Sequence, residues 1–126
     1  LIAESRDCGR TWTKLRPSTM PMAASKPCTG MLSTGQRYLI SNSAGDNGNA
    51  RVPLTITYSE PGQTALTEIR VIRQGTQPNA PENGRLGYPC AIEHEGKLYV
   101  GYSNSGVRRG NNNSAELAVF PIDSLQ

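Results

Sequence analysis

The sequence is poor in cysteine: Cys8, Cys28 and Cys90 are its three, and they cannot all pair within the chain. At most one disulfide forms, the spacing offers no zinc site, and three buried free thiols are expected. No apolar run approaches the length of a membrane span, so no membrane partner is expected. Leu1-Ile2-Ala3 is followed at once by Glu4 and Arg6 and is not read as a signal peptide. Lys and Arg number 13 against 10 Asp and Glu, but they are scattered, with no cluster beyond Arg108-Arg109. A nucleic-acid partner is therefore not expected, since such binders gather their positive charge on one face. The one histidine, His94, stands between Glu93 and Glu95 at a polar turn and is expected to be exposed. Asp46-Asn47-Gly48-Asn49 lacks the ligand spacing and bidentate glutamate of a calcium loop, so a plain turn is expected, with no metal and no cofactor.

What the chain does have is breakers: 13 Gly and 9 Pro among 126 residues. The longest stretch without either runs Gln63 to Gln74, and its Thr67–Arg73 portion alternates with period two, which predicts a strand. The spacing of turns predicts short strands throughout and no long helix. Leu1–Glu4 and Thr11–Leu15 flank a turn, and Lys26–Ser33 and Gln36–Asn42 flank Thr34-Gly35. After a polar loop over Asn42–Ala50, Val52–Ser59 and Leu66–Arg73 flank Glu60–Gln63. A second polar loop, Gly75–Gly87, leads to strands over Tyr88–Glu93 and Lys97–Ser103, a loop over Asn104–Asn113, and a last strand over Ala115–Ile122. Asn112-Asn113-Ser114 is a glycosylation sequon, read as an unmodified loop.

Two turns are comparable. Ser5-Arg6-Asp7-Cys8-Gly9-Arg10-Thr11-Trp12 fits S-x-D-x-G-x-T-W, and Ser59-Glu60-Pro61-Gly62-Gln63-Thr64 keeps its Ser, Gly and Thr at an offset of 54 residues. That period suits a four-stranded propeller blade. The octapeptide resembles the Asp-box of sialidases and related propellers. The fold class expected is all-β, with antiparallel four-stranded blades of a partial sialidase-like β-propeller. Residues 1–16 would end one blade, 22–74 form a full one and 87–122 most of a further one. A propeller ring takes roughly 4–8 blades, so the chain is expected to be a fragment, an expectation its lack of an initiator Met reinforces. Within the box, Ser5, Asp7, Gly9, Thr11 and Trp12 are structural: Asp7 accepts turn N–H groups, Gly9 takes positive φ and Trp12 covers the blade.

Asn49-Ala50-Arg51-Val52-Pro53-Leu54-Thr55-Ile56 resembles the sialidase segment bearing an arginine of the arginine triad, and Gly87-Tyr88-Pro89-Cys90-Ala91 resembles the one bearing the catalytic tyrosine. The resemblance implies that Arg51 binds a substrate carboxylate and that Tyr88 is the nucleophile at the anomeric carbon of an anionic sugar. Lys26, Asp46, Arg85 and Arg108 are further candidates for the same funnel. Three departures bear on activity. Fifteen residues beyond Tyr88, where the family has a glutamate, stands Ser103; Pro89 replaces a serine; and the carboxylate that activates the tyrosine belongs to an earlier blade. The function implied is a sialidase-like glycoside hydrolase segment, inactive as an isolated chain. The alternative is a non-catalytic carbohydrate-binding or assembly module. Tyr88-Pro89, Gly101-Tyr102-Ser103, Gly110–Asn113 and Ala115–Val119 resemble sialidase-like propellers from environmental bacteria. A glycan is the partner expected, with a homo-oligomer or blades from another chain completing the ring. A secreted or periplasmic place follows if the protein is sialidase-like.

Overall fold

In the computed structural model, residues 1–43, 51–75, 85–108 and 111–125 are described, the side chains of 106–108 and 111–113 excepted. Seven strands form two antiparallel sheets. The first holds β1 (Cys28–Met31), β2 (Arg37–Asn42), β3 (Leu54–Ser59) and β4 (Leu66–Arg73), each paired with the next. The second holds β5 (Arg85–His94), β6 (Lys97–Arg108) and β7 (Asn111–Pro121), again in sequence order. A 3-10 turn, Ile122–Leu125, follows β7. The all-β, antiparallel expectation from the breaker spacing holds.

The core lies between the sheets. Alternate residues of each strand point the same way, so Tyr38 and Ile40 of β2, Ile56 and Tyr58 of β3, and Leu98, Val100 and Tyr102 of β6 form one buried cluster. Leu32, Leu54, Leu86, Ile122 and Leu125 complete it. Each fully buried aliphatic side chain contributes roughly 1.5–3 kcal/mol. Polar ties pin the margins: the Gln36 carboxamide donates to the Leu125 carbonyl at 2.8 Å, and the Ser33 hydroxyl and amide donate to the Glu93 carboxylate. A backbone bond beside a parallel bridge ties β5 to the residues just before β3: Leu86 N–H donates to the Arg51 carbonyl at 3.0 Å.

Several sequence expectations need correction. The loop expected over Asn104–Asn113 is largely strand, because its polar residues bond across the ladder. Ser105 donates to the Arg85 carbonyl, Ser114 to the Asn104 carbonyl, and the Asn104 amide to Glu116. The sequon at Asn112 thus stands in β7, its side chain outside the described residues. β5 begins at Arg85 rather than Tyr88, and β1 is only Cys28–Met31. The strands expected either side of the Asp-box reduce to the bridge Ile2–Arg16, since among the described residues no neighbouring strand extends that pair. The thiols are free, but Cys8 and Cys90 are exposed and Cys28 is half-buried. Cys8 lies in the tip of a hairpin at φ 57°, and Cys90 shares the outward face of β5 with exposed Ile92.

Candidate functional site

The Asp-box hairpin is built by side chains. The Ser5 hydroxyl donates to Asp7 Oδ1 at 2.8 Å and accepts from Gly9 N–H at 2.8 Å. The Asp7 carboxylate accepts from Thr11 N–H at 2.9 Å and from the Thr11 hydroxyl at 2.6 Å. These donors, Thr11 foremost, hold the Asp7 carboxyl at about 2, below its ordinary value of 3.8. Gly9 takes φ 84°, which a glycine adopts at no steric cost. Trp12 does not cover a blade: it is 63% exposed, because its indole N–H donates to the Gly9 carbonyl and keeps the ring over its own turn. The related turn at Ser59–Thr64 joins β3 to β4; the buried Ser59 hydroxyl accepts from Arg37 N–H there, and Gly62 takes φ 74°.

Arg51 and Tyr88 come together at the other end of the sheets. The ladder between β5 and β6 pairs Gly87 with Ser103 and Cys90 with Gly101, so Tyr88 and Pro89 stand opposite Tyr102 alone. This is a β-bulge, a device that re-aims a side chain. Pro89 has no N–H to contribute to a ladder, so the bulge suits it. Tyr88 takes φ 51° and is 62% exposed. A left-handed tyrosine is a strained one, and such strain gathers at functional sites. The Arg51 guanidinium carbon lies 5.7 Å from the centre of the Tyr88 ring, within reach of a cation–π attraction.

Three bonds hold Arg51. Its carbonyl accepts from Leu86 N–H at 3.0 Å and from the Asn42 carboxamide at 2.8 Å. Its Nη2 donates to the Ala24 carbonyl at 3.1 Å. Among the described residues the ion pairs are Arg16–Glu4, Arg73–Glu116 and His94–Glu95, and none engages Arg51. A guanidinium has five N–H donors, so donors remain to take a carboxylate in the bidentate manner.

Of the other sequence candidates, Lys26 is exposed just before β1. Arg85 is also exposed; its backbone is bridged to Arg51. Asp46 and the side chain of Arg108 lie outside the described residues. His94 is exposed. Ser103 is turned to the backbone, its hydroxyl donating to the Gly87 carbonyl at 3.0 Å. Two clefts of about 300 and 360 Å³ lie elsewhere, the first lined by Ile56, Ile72, Phe120 and Leu125, the second by Thr29, Tyr38 and Leu66. They are not where Arg51 and Tyr88 sit. Sequence reasoning missed Asn42 and the set Tyr102, Asn104 and Glu116. A signal existed: Asn42 continues the inward series Tyr38, Ile40, and Asn104 continues Leu98, Val100, Tyr102.

Comparison with known protein families then places the fold. The family described as BNR repeat-like domain matches residues 1–100. The chain belongs to that family. The Ser5–Trp12 turn has the side-chain-closed hairpin form expected of the Asp-box. No curated protein and no solved structure matched the BNR repeat-like chain.

Proposed function

We propose that the Arg51–Tyr88 corner binds an anionic sugar, and that the chain contributes this corner to a sialidase-like glycoside hydrolase. One observation carries the reading: a guanidinium with no carboxylate partner among the described residues lies over an exposed, outward-aimed tyrosine ring. Arg51 takes the sugar's carboxylate through its fork, and the Tyr88 ring packs on the sugar. In the hydrolytic step the Tyr88 oxygen bonds to the anomeric carbon as the glycosidic C–O bond breaks. The phenolic proton passes to a base and the leaving oxygen receives a proton from an acid, both of which the sialidase resemblance assigns to an earlier blade. Water then displaces the tyrosine.

A second reading, a non-catalytic carbohydrate-binding module, draws support from the surroundings of Tyr88: among the described residues its hydroxyl has no hydrogen-bond partner to serve as base. Titration with N-acetylneuraminic acid and assay of an aryl sialoside, both on the chain together with the blades that complete its ring, separate the two. Turnover abolished by Tyr88→Phe marks the hydrolase; saturable binding without turnover marks the module. Equal affinity in wild type, Arg51→Ala and Tyr88→Ala overturns both. Ile92, Leu117 and Val119 leave an exposed apolar strip on the outer face of the second sheet, which supports the stacking of a further sheet from another copy or another chain. Light scattering reads that directly: a monomer argues against pairing of copies.

A further inference from the structure

Asn42 is the last residue of β2 and is wholly buried. A buried carboxamide stays in a core only when its hydrogen bonds are made, and the partners of this one are informative. Its Nδ2 donates to the Arg51 carbonyl at 2.8 Å and also to the Pro53 carbonyl at 3.3 Å. Its Oδ1 accepts from the Ser25 hydroxyl at 2.8 Å, and its own backbone carbonyl accepts from Ala23 N–H at 2.9 Å. Ser25 N–H in turn donates to the Ala23 carbonyl at 2.7 Å, so 23–25 is a tight turn fastened to Asn42 at both ends. The residue in the middle of that turn is Ala24, whose carbonyl receives the Arg51 guanidinium.

We infer that Asn42, acting with Ser25, is a positioning residue for Arg51: its carboxamide grips the arginine backbone on one side and, through Ser25, the turn that holds the guanidinium on the other. The inference rests on the reading of Arg51 as the carboxylate-binding side chain. Without this grip Arg51 follows residues 44–50 as an ordinary solvated arginine, free to swing over many rotamers. With it, backbone and side chain are fixed before any sugar arrives, which lowers the ordering cost of binding.

Ser25→Ala is the decisive variant, because it removes one hydroxyl from a half-buried position and breaks only the bond to Asn42 Oδ1; Asn42→Ala is the stronger but more disruptive companion. In the free protein, the Arg51 Nε–H resonance is expected to be sharp in the wild type and in Ser25→Thr, and shifted or broadened in Ser25→Ala. Affinity for N-acetylneuraminic acid is expected to fall about fivefold in Ser25→Ala, to recover in Ser25→Thr, and to show no further loss from Ser25→Ala in an Arg51→Ala background. The melting temperature should fall modestly, because Asn42 Oδ1 loses its donor; a merely structural role would show that fall and spare the resonance. An unchanged Arg51 resonance in folded Ser25→Ala overturns the inference. If the wild type does not bind the sugar at all, the carbohydrate reading fails on its own, and the ligand-free resonance still decides for or against positioning.

Discussion

The Tyr102 hydroxyl donates to the Glu116 carboxylate across β6 and β7 at 2.9 Å. Asn104 donates to the other oxygen of the same carboxylate at 2.8 Å, and Arg73, at the end of β4, stands 3.8 Å from it. Three strands of two sheets thus meet on one acid.

Burial, and then the bond to Glu116, push the Tyr102 phenol up to about 12 from 10.0. Because the folded state holds this proton more tightly than the unfolded one, the stabilisation is full below pH 10 and is lost as pH rises through 12. An absorbance titration at the phenolate band should show a late step near pH 12 that Tyr102→Phe removes. The variant should cost about 1–2 kcal/mol at neutral pH. A wild-type curve identical to the variant's would refute the assignment.

Asp7 titrates in the opposite sense. Its carboxyl sits at about 2 against 3.8, held down first by the Thr11 hydroxyl. Its contribution to the hairpin is complete above pH 3.8 and disappears as pH falls through 2. Carbon-detected NMR should follow the side-chain carboxyl to that low midpoint. In Thr11→Ala the midpoint should rise towards 3.8; a midpoint unmoved by that change would count against the hydrogen bond as its cause.

Gly30 is needed for space. A β-carbon placed there would stand 2.4 Å from the Tyr38 hydroxyl, and Tyr38 is buried in the core cluster. Gly30→Ala should therefore cost roughly 1–3 kcal/mol in chemical denaturation, the usual range for overpacking. In Tyr38→Phe the penalty should persist, because the ring carbons Cζ and Cε1 would still stand 2.5 and 2.8 Å from that β-carbon.

Tyr88 should trade stability for binding. Its left-handed backbone costs about 1–2 kcal/mol, which Tyr88→Gly relieves while giving up a contact with Arg51 of roughly 0.5–1 kcal/mol and gaining chain entropy in the unfolded state. The variant should fold within about 1 kcal/mol of wild type yet lose affinity for N-acetylneuraminic acid. A large loss of stability would mean that the ring is a packing residue after all.

How much of this was legible in the residues follows from what each signal reports. Turn residues and period-two alternation are local, so the strands around Thr34-Gly35 and Glu60–Gln63 and the all-β class could be read directly. The Asp-box is local too, and its form specifies its bonds. Composition misled at Asn104–Asn113, where serine and asparagine look like loop until a partner strand supplies acceptors for them. Exposure was harder still. Whether Cys90 or Trp12 is covered depends on what packs on that face, and no spacing within the chain encodes this. Arg51 and Tyr88 could each be named from a resemblance, but their contact depends on a bulge at Tyr88-Pro89 and on a buried amide 9 residues before the arginine.

The bond from Leu86 of β5 to Arg51, three residues before β3, ties the second sheet to the margin of the first, and it does so at the residue proposed to take the sugar's carboxylate. A sugar that tethers Arg51 therefore also clamps the seam between the sheets, so occupancy and resistance to sheet separation become thermodynamically linked. The Leu86 amide proton is the natural gauge of that linkage: its exchange with solvent should slow as sugar is added, even though no sugar atom touches it.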